Sequence, residues 1–159
     1  MGAAASIIAA LLSQRNQRRQ EELANSRKRS ERARDFQAEA LVAAQDALDE
    51  LRQSISLFFR HHSGAVEGGY SWRDVDTPGD LEERVSRAIG KVHYLSERVQ
   101  DPDTRADLEL TAGLFSEVLG SRSLDDARVQ HDAATKQFIA TNTGLGVVLR
   151  GLFDPVTRP

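Results

Sequence analysis

Four histidines are the residues of this chain best suited to proton transfer or metal binding, because cysteine is absent. They are His61, His62, His93 and His131. None belongs to an HExxH motif or to the Glu-x-x-His pairs that hold metals in helical bundles. His131 falls on the apolar face of a predicted helix, and His93 lies beside the apolar face of another. We interpret both as structural residues and predict no metal site.

Other catalytic and cofactor motifs are missing from the sequence as well. The chain has no GxSxG or Walker pattern, and the glycines of TGLGVVLRG (143–151) follow no predicted strand. Paired acids such as Glu82-Glu83 and Asp125-Asp126 fall at predicted helix starts, where the helix dipole favours negative charge. We therefore expect no catalytic residue, no cofactor and no enzyme activity.

One stretch without helical periodicity, residues 63–79, carries the only tryptophan of the chain. Its glycines and proline predict a loop that is long for a compact domain. Tyr70 and Trp72 lie in it. The interpretation that we favour is that these rings pack against the helices and anchor the loop. The alternative is that they form a partner-binding tip.

Helices must position these residues, because apolar side chains recur every three or four positions in four segments. No segment alternates apolar and polar residues long enough to predict a strand. The fold class is therefore all-α, with a long N-terminal helix that continues into an antiparallel bundle of about four helices. The apolar faces are Leu41, Ala44, Leu48, Leu51, Ile55 and Phe58; Leu81, Val85, Ala88, Val92, Leu95 and Val99; Leu108, Ala112, Phe115 and Leu119; and Leu124, Ala127, His131, Ala134, Phe138, Thr141, Leu145, Val148 and Leu152.

Start and stop signals separate the last three helices. They are Thr77 as N-cap before Pro78, Asp101 before Pro102, Ser123 with Asp126 as a capping box, and Gly120 as a stop. The last helix is weak around residues 141–146, where Thr, Asn and Gly have low helix propensity, and we expect a kink or fraying there.

The N-terminal segment, residues 1–13, is apolar but short. As a helix its twelve residues after Met1 span about 18 Å, against roughly 30 Å of bilayer hydrocarbon. MGAAAS also matches the myristoylation pattern, which applies only in a eukaryotic host. We expect Ile7, Ile8, Leu11 and Leu12, which share one face, to contact lipid or a partner helix, and Arg15, Arg18 and Arg19 to contact anionic headgroups.

The charge of the chain is unevenly distributed. Residues 1–34 hold eight basic and three acidic side chains, a net charge of +5, so the remainder carries −8 of the overall −3. The sequence NSRKRSERAR (25–34) before a leucine repeat invites comparison with a bZIP basic region. The repeat lasts under three heptads and Glu31 interrupts the basic run, so we expect a solvated stalk rather than a nucleic-acid-binding helix.

Several stretches resemble a group of small uncharacterised actinobacterial proteins. They are the apolar start, the Arg/Glu/Gln-rich stalk, DFQAEALVAAQDALDEL (35–51), SERVQDPDTRADLEL (96–110) and GVVLRGLF (146–153). In that group an N-terminal transmembrane helix leads through a charged stalk to a helical domain. The resemblance implies the same layout for most of this chain, with no activity to transfer. Because the apolar segment is short here, we expect either a span that begins upstream of Met1 or a vestigial anchor.

These observations lead us to expect a non-enzymatic, membrane-associated helical interaction module on the cytoplasmic side. Its parts are an anchor-like segment (1–13), a charged helical stalk (14–35) and a bundle (36–159) with a loop at 63–79. The alternative is a soluble cytoplasmic coiled-coil or bundle protein. It would form homo-oligomers through its first helix and bind nucleic acid through residues 25–34.

Overall fold

The computed structural model describes the backbone of residues 3–154 and the side chains of residues 14, 15 and 17–154. Its four α-helices confirm the all-α fold, and no strand occurs within that part of the chain. The helices are α1 (Ala3–Glu67), α2 (Gly79–Ser96), α3 (Pro102–Leu119) and α4 (Leu124–Phe153), and one 3-10 turn lies at Trp72–Asp74. Backbone contacts divide the chain into two compact units, residues 1–36 and 37–159.

The first unit consists of the N-terminal part of α1. Every side chain that the structure describes between residues 14 and 35 is exposed, including Leu23, which is 55% exposed. This agrees with a sequence that places no apolar stripe on these turns. The helical conformation here depends on local propensity, since alanine, arginine, glutamine and glutamate are good helix formers.

The second unit is a bundle in which sequential helices run antiparallel. Between α1 and α2, Glu50 pairs with Lys91 at 2.7 Å, and Gln37 bonds to the backbone of Arg98 and Gln100. An earlier residue of α1 therefore contacts a later residue in or just after α2, as expected for antiparallel helices. The α1–α4 partners behave in the same way, from Gln45 with Asn142 to Phe59 with His131. The first and last helices of the bundle are thus neighbours.

The core contains the apolar stripes that the sequence predicts. Each α1 stripe residue is at most 7% exposed, and α2 and α3 bury theirs except Leu81 and Leu119, which are half-buried. Alanines at Ala44, Ala47 and Ala88 leave little side chain between the helices, so the backbones can approach closely. On α4 the buried members are Ala127, Ala134, Phe138, Thr141 and Leu145, and the half-buried members are Leu124, His131, Val148 and Leu152.

The core also contains a chain of hydroxyl hydrogen bonds. Thr111 donates to the carbonyl of Asp107 at 2.7 Å, so the Thr141 hydroxyl, 2.9 Å away, donates to Thr111. Gln137 donates in turn to Thr141 at 3.2 Å. Because the hydroxyls of Thr111 and Thr141 both have partners, their burial costs little. This pairing helps α4 to continue through residues 141–146, where the sequence predicts a kink or fraying.

The predicted helix starts at Asp101 and Ser123 are confirmed. Asp101 accepts hydrogen bonds from the Thr104 hydroxyl and backbone N–H, and these bonds lower the pKa of the Asp101 carboxyl. Ser123 accepts from the N–H of Asp126, whose carboxylate accepts from the N–H of Arg122. Side-chain oxygens therefore satisfy backbone donors at the starts of α3 and α4.

Two predicted boundaries next to the loop are wrong. The loop was expected to begin at residue 63, but α1 continues to Glu67, since Ser63 donates to the Phe59 carbonyl at 2.7 Å and Val66 packs on the core. At the other end, Thr77 does not cap α2, which begins at Gly79 after Pro78. The loop turns at Gly69, whose φ of +100° strains any residue with a Cβ.

The difference between buried and exposed leucines on α3 can be tested directly. Leu108 is fully buried and Leu110 is 51% exposed, two positions further along the same helix. We expect Leu108→Ala to lower the free energy of unfolding by about 2–5 kcal/mol, since it removes packed atoms and leaves a cavity. The matched change Leu110→Ala should cost less than about 1 kcal/mol. Chemical denaturation of both variants measures the difference, and equal losses would contradict this core.

Candidate functional site

Aromatic rings and histidines cluster at the C-terminal end of α1. Phe58 and His62 are one helical turn apart and stack with their ring centroids 4.1 Å apart. The loop returns Trp72 to these rings, 4.9 Å from His62 and 5.9 Å from Phe59. The other face of this end is closed by α4, where His131 stacks on Phe59 at 4.8 Å. The cluster therefore joins α1, the loop and α4.

The imidazole of His62 holds the loop at two points. Its Nδ1 lies 3.3 Å from the carbonyl oxygen of Trp72, and its Nε2 lies 2.9 Å from Oγ1 of Thr77. A carbonyl oxygen can only accept, so in the neutral ring Nδ1 carries the proton. The Thr77 hydroxyl then donates to Nε2. Both nitrogens are occupied, so the ring has a structural role between α1 and the loop.

Burial controls the charge state of His62. The side chain is only 5% exposed, and burial lowers the pKa of its imidazole because the charged form loses its hydration. The Trp72 carbonyl acts in the opposite direction and raises that pKa, but its effect is smaller. His62 is therefore neutral near pH 7. Its neighbour His61 is exposed and contacts the carbonyl oxygen of Asp76 at 3.0 Å.

A cleft of about 460 Å³ opens beside this cluster. Its apolar wall consists of Phe58, Trp72, Val85 and Leu119, and its polar lining comes from His62, Thr77, Ser86 and Ser121, with Val75 and Gly120 completing it. Two charged side chains also line it, Arg73 from the 3-10 turn and Glu82 from the first turn of α2. This volume lies within the range of about 300–1,000 Å³ that is typical of small-molecule pockets.

The two aromatic residues of the loop occupy different environments. Trp72 is 4% exposed and belongs to the core, which confirms for this ring the interpretation that it anchors the loop. Tyr70 is 64% exposed. Of the two residues considered for a partner-binding tip, only Tyr70 is therefore available at the surface.

The remaining histidines do not form a metal centre in the described residues. His93 is exposed, whereas His131 is half-buried with its Nε2 lacking a hydrogen-bond partner among the described atoms. Burial lowers the pKa of His131. Between residues 14 and 154 no group of three or more His, Asp or Glu side chains is arranged to hold a metal ion.

The N-terminal residues singled out from the sequence fall into two groups. The side chains of Ile7, Ile8, Leu11 and Leu12 lie outside the described residues. Arg15, Arg18 and Arg19 are exposed, as are the basic residues of 25–34, and none of them is in an ion pair within the part of α1 whose side chains are described. None of the described helices combines the length and apolarity needed to cross a membrane.

Sequence reasoning missed the His62–Thr77 contact and the cleft. Thr77 precedes a proline and an acidic first turn, which is the usual pattern of an N-cap, and this pattern concealed its tertiary role. The available signal was a pair of adjacent histidines at the end of a helix next to a loop that carries the only tryptophan. Arg73 and Glu82 had no distinguishing spacing.

Comparison with known proteins adds no relative to this geometry. No protein-family model, no curated protein and no solved structure matches the chain. The similarity to the small actinobacterial proteins stays a prediction.

The lowered pKa of His62 predicts how stability depends on pH. Since the folded protein binds the His62 proton more weakly than the unfolded chain, protonation favours unfolding. The stabilisation is fully present above the ordinary pKa of 6.5 and is lost as the pH falls through that value toward the lowered pKa of the folded state. We expect the free energy of unfolding to fall between about pH 7.5 and pH 5.

Denaturation of variants at each pH identifies the residue responsible. His62→Gln should remove part of the slope, and His131→Gln a further part, because burial lowers the pKa of both imidazoles. His93→Gln is the matched control at an exposed position. An unchanged slope in His62→Gln would mean that its imidazole binds protons equally in both states.

Proposed function

We propose that this protein is a non-enzymatic helical interaction module that associates with an anionic membrane surface through its N-terminal segment. In this proposal Ile7, Ile8, Leu11 and Leu12 insert among lipids or against a partner helix. Arg15, Arg18 and Arg19 contact the headgroups, and the bundle lies on the cytoplasmic side.

The observation that carries the proposal is the exposure of the first unit. The described side chains of residues 14–35 are all exposed, and the arginines among them have no carboxylate within ion-pairing distance in the described structure. Unpaired guanidinium groups beside an apolar segment match an anionic interface, because each basic residue near such a surface contributes about 1 kcal/mol. The rest of the chain, residues 35–159, carries a net charge of −8, so the positive charge is concentrated in the N-terminal part.

A second candidate function is supported by the same unit. Leu23 is 55% exposed on a helix that has no core of its own, which favours homo-oligomerisation through helix α1 as a coiled coil. Arg27, Lys28, Arg29, Arg32 and Arg34 are all exposed, which would allow weak, non-specific contact with nucleic-acid phosphates. On this alternative the protein is soluble and cytoplasmic.

Vesicle sedimentation of the full chain distinguishes these functions. We expect binding to vesicles that contain an anionic lipid and little binding to purely zwitterionic vesicles. The triple variant Arg15→Gln/Arg18→Gln/Arg19→Gln should bind roughly 100-fold more weakly, since three headgroup contacts are removed. The matched control Arg27→Gln/Arg29→Gln/Arg32→Gln changes the net charge equally and should lose less than about tenfold.

Equal losses in the two triple variants, or no binding to the anionic vesicles, would overturn the membrane proposal. The alternative has its own measurements. Duplex DNA binding near 50 mM salt that is lost in the 27/29/32 variant would support the nucleic-acid contact, since low salt favours counterion release. Oligomerisation through α1 would be supported if sedimentation velocity gave a mass above the 17.6 kDa of the monomer and Leu23→Lys returned the mass to that value.

A further inference from the structure

The cleft beside His62 lies within the bundle and has no part in the proposed membrane contact. Arg73 and Glu82 both line it, yet neither is in an ion pair with the other or with another described residue. Both side chains are exposed. A cation and an anion therefore line the same cleft, and neither charge is neutralised by an ion pair with a described residue.

The apolar wall of the cleft is held in place by packing. Phe58 and Trp72 are at most 7% exposed, and their rings meet edge to face with centroids 6.2 Å apart. Val85 and Leu119 extend this apolar surface. A flat or branched hydrocarbon group can lie against this apolar wall, and the burial of apolar surface would favour its binding.

The remaining polar groups supply hydrogen bonds but no net charge. His62 is neutral, and both of its ring nitrogens are already bonded to Trp72 and Thr77. Ser86 and Ser121 add hydroxyl groups. The imidazole is thus unavailable as a metal ligand or a base toward a bound molecule. Among the described residues that line the cleft, only Arg73 and Glu82 are charged.

This pair of charges discriminates among ligand classes. A simple anion would be attracted by Arg73 but repelled by Glu82, and a simple cation would meet the opposite combination. A small zwitterion satisfies both, since guanidinium groups bind carboxylates and carboxylates bind ammonium groups. We propose that this cleft binds a free α-amino acid with an apolar side chain. The ligand's carboxylate faces Arg73, its ammonium faces Glu82, and its side chain lies against Trp72 and Phe58.

The only tryptophan of the chain is part of the cleft wall, so its fluorescence reports directly on binding. The test titrates the full-length protein with L-phenylalanine and L-leucine, and isothermal titration calorimetry confirms each affinity. Two analogues keep the phenyl ring but lack one charge: 3-phenylpropanoate has no ammonium group and phenethylamine has no carboxylate. We expect saturable phenylalanine binding that is at least about tenfold tighter than that of either analogue.

Variants assign the two charges. Arg73→Gln and Glu82→Gln should each weaken phenylalanine binding by about tenfold, because each removes one charge-assisted contact. Arg73→Gln should leave phenethylamine binding unchanged or improved, and Glu82→Gln should do the same for 3-phenylpropanoate. The control Glu83→Gln alters the adjacent carboxylate, which pairs with Arg87 and does not line the cleft, and it should change nothing.

A steric variant separates the cleft from other surfaces. Ser86→Phe places a ring at an exposed position on the cleft wall and should abolish binding, with circular dichroism showing the helical content retained. Failure to detect saturable binding of phenylalanine and leucine up to about 10 mM would overturn the proposal. Equal affinity for the amino acid and its single-charge analogues would also overturn it, as would undiminished binding in Ser86→Phe. None of these three results bears on vesicle binding by the N-terminal segment.

Discussion

The burial of one face of α1 is the interaction on which the rest of the bundle depends. The stripe from Leu41 to Phe58 is almost completely buried, and α1 makes polar contacts with both α2 and α4 along this length. A helix with one continuous apolar face needs neighbours on both sides of that face, and two antiparallel helices supply them. The order of the chain then leaves α3 to close the bundle against α2 and α4, where Ser96 meets Glu109 and Thr111 meets Thr141.

The parts of the fold that were predictable from sequence depend on local physics. The stripes of α1, α2 and α3 could be read from three- and four-residue spacing, because that spacing places side chains on one helix face. The N-caps at Asp101 and Ser123 were predictable because they act within four residues of their own helix start. Thr77 has the same local pattern, but its hydroxyl donates to His62, fifteen residues away in sequence. Such a contact depends on tertiary geometry that no local spacing specifies.

The cleft was unpredictable for a related reason. Its lining comes from α1, the loop, α2 and the end of α3. Its two charged residues, Arg73 and Glu82, belong to no common sequence motif. Trp72 is an example. A lone tryptophan in a predicted loop indicated an anchoring ring, but the sequence could not say which residues this ring would contact. The first unit differs, because an exposed helix has few tertiary contacts to predict. There the sequence pattern and the observed exposure of residues 14–35 agree.

The two kinds of surface differ in how their charges are held. Along residues 14–35 the charged side chains are on a helix without a core, so they can adapt to a diffuse partner such as a layer of headgroups. At the cleft, Arg73 directly follows the buried Trp72. The carbonyl oxygen of Trp72 accepts a hydrogen bond from His62. Glu82 lies in the first turn of α2, three residues before the buried Val85. Both charged residues are therefore attached to backbone that the core holds in place. Opposite charges carried by such backbone beside one cleft favour a small ligand that has two charges of its own.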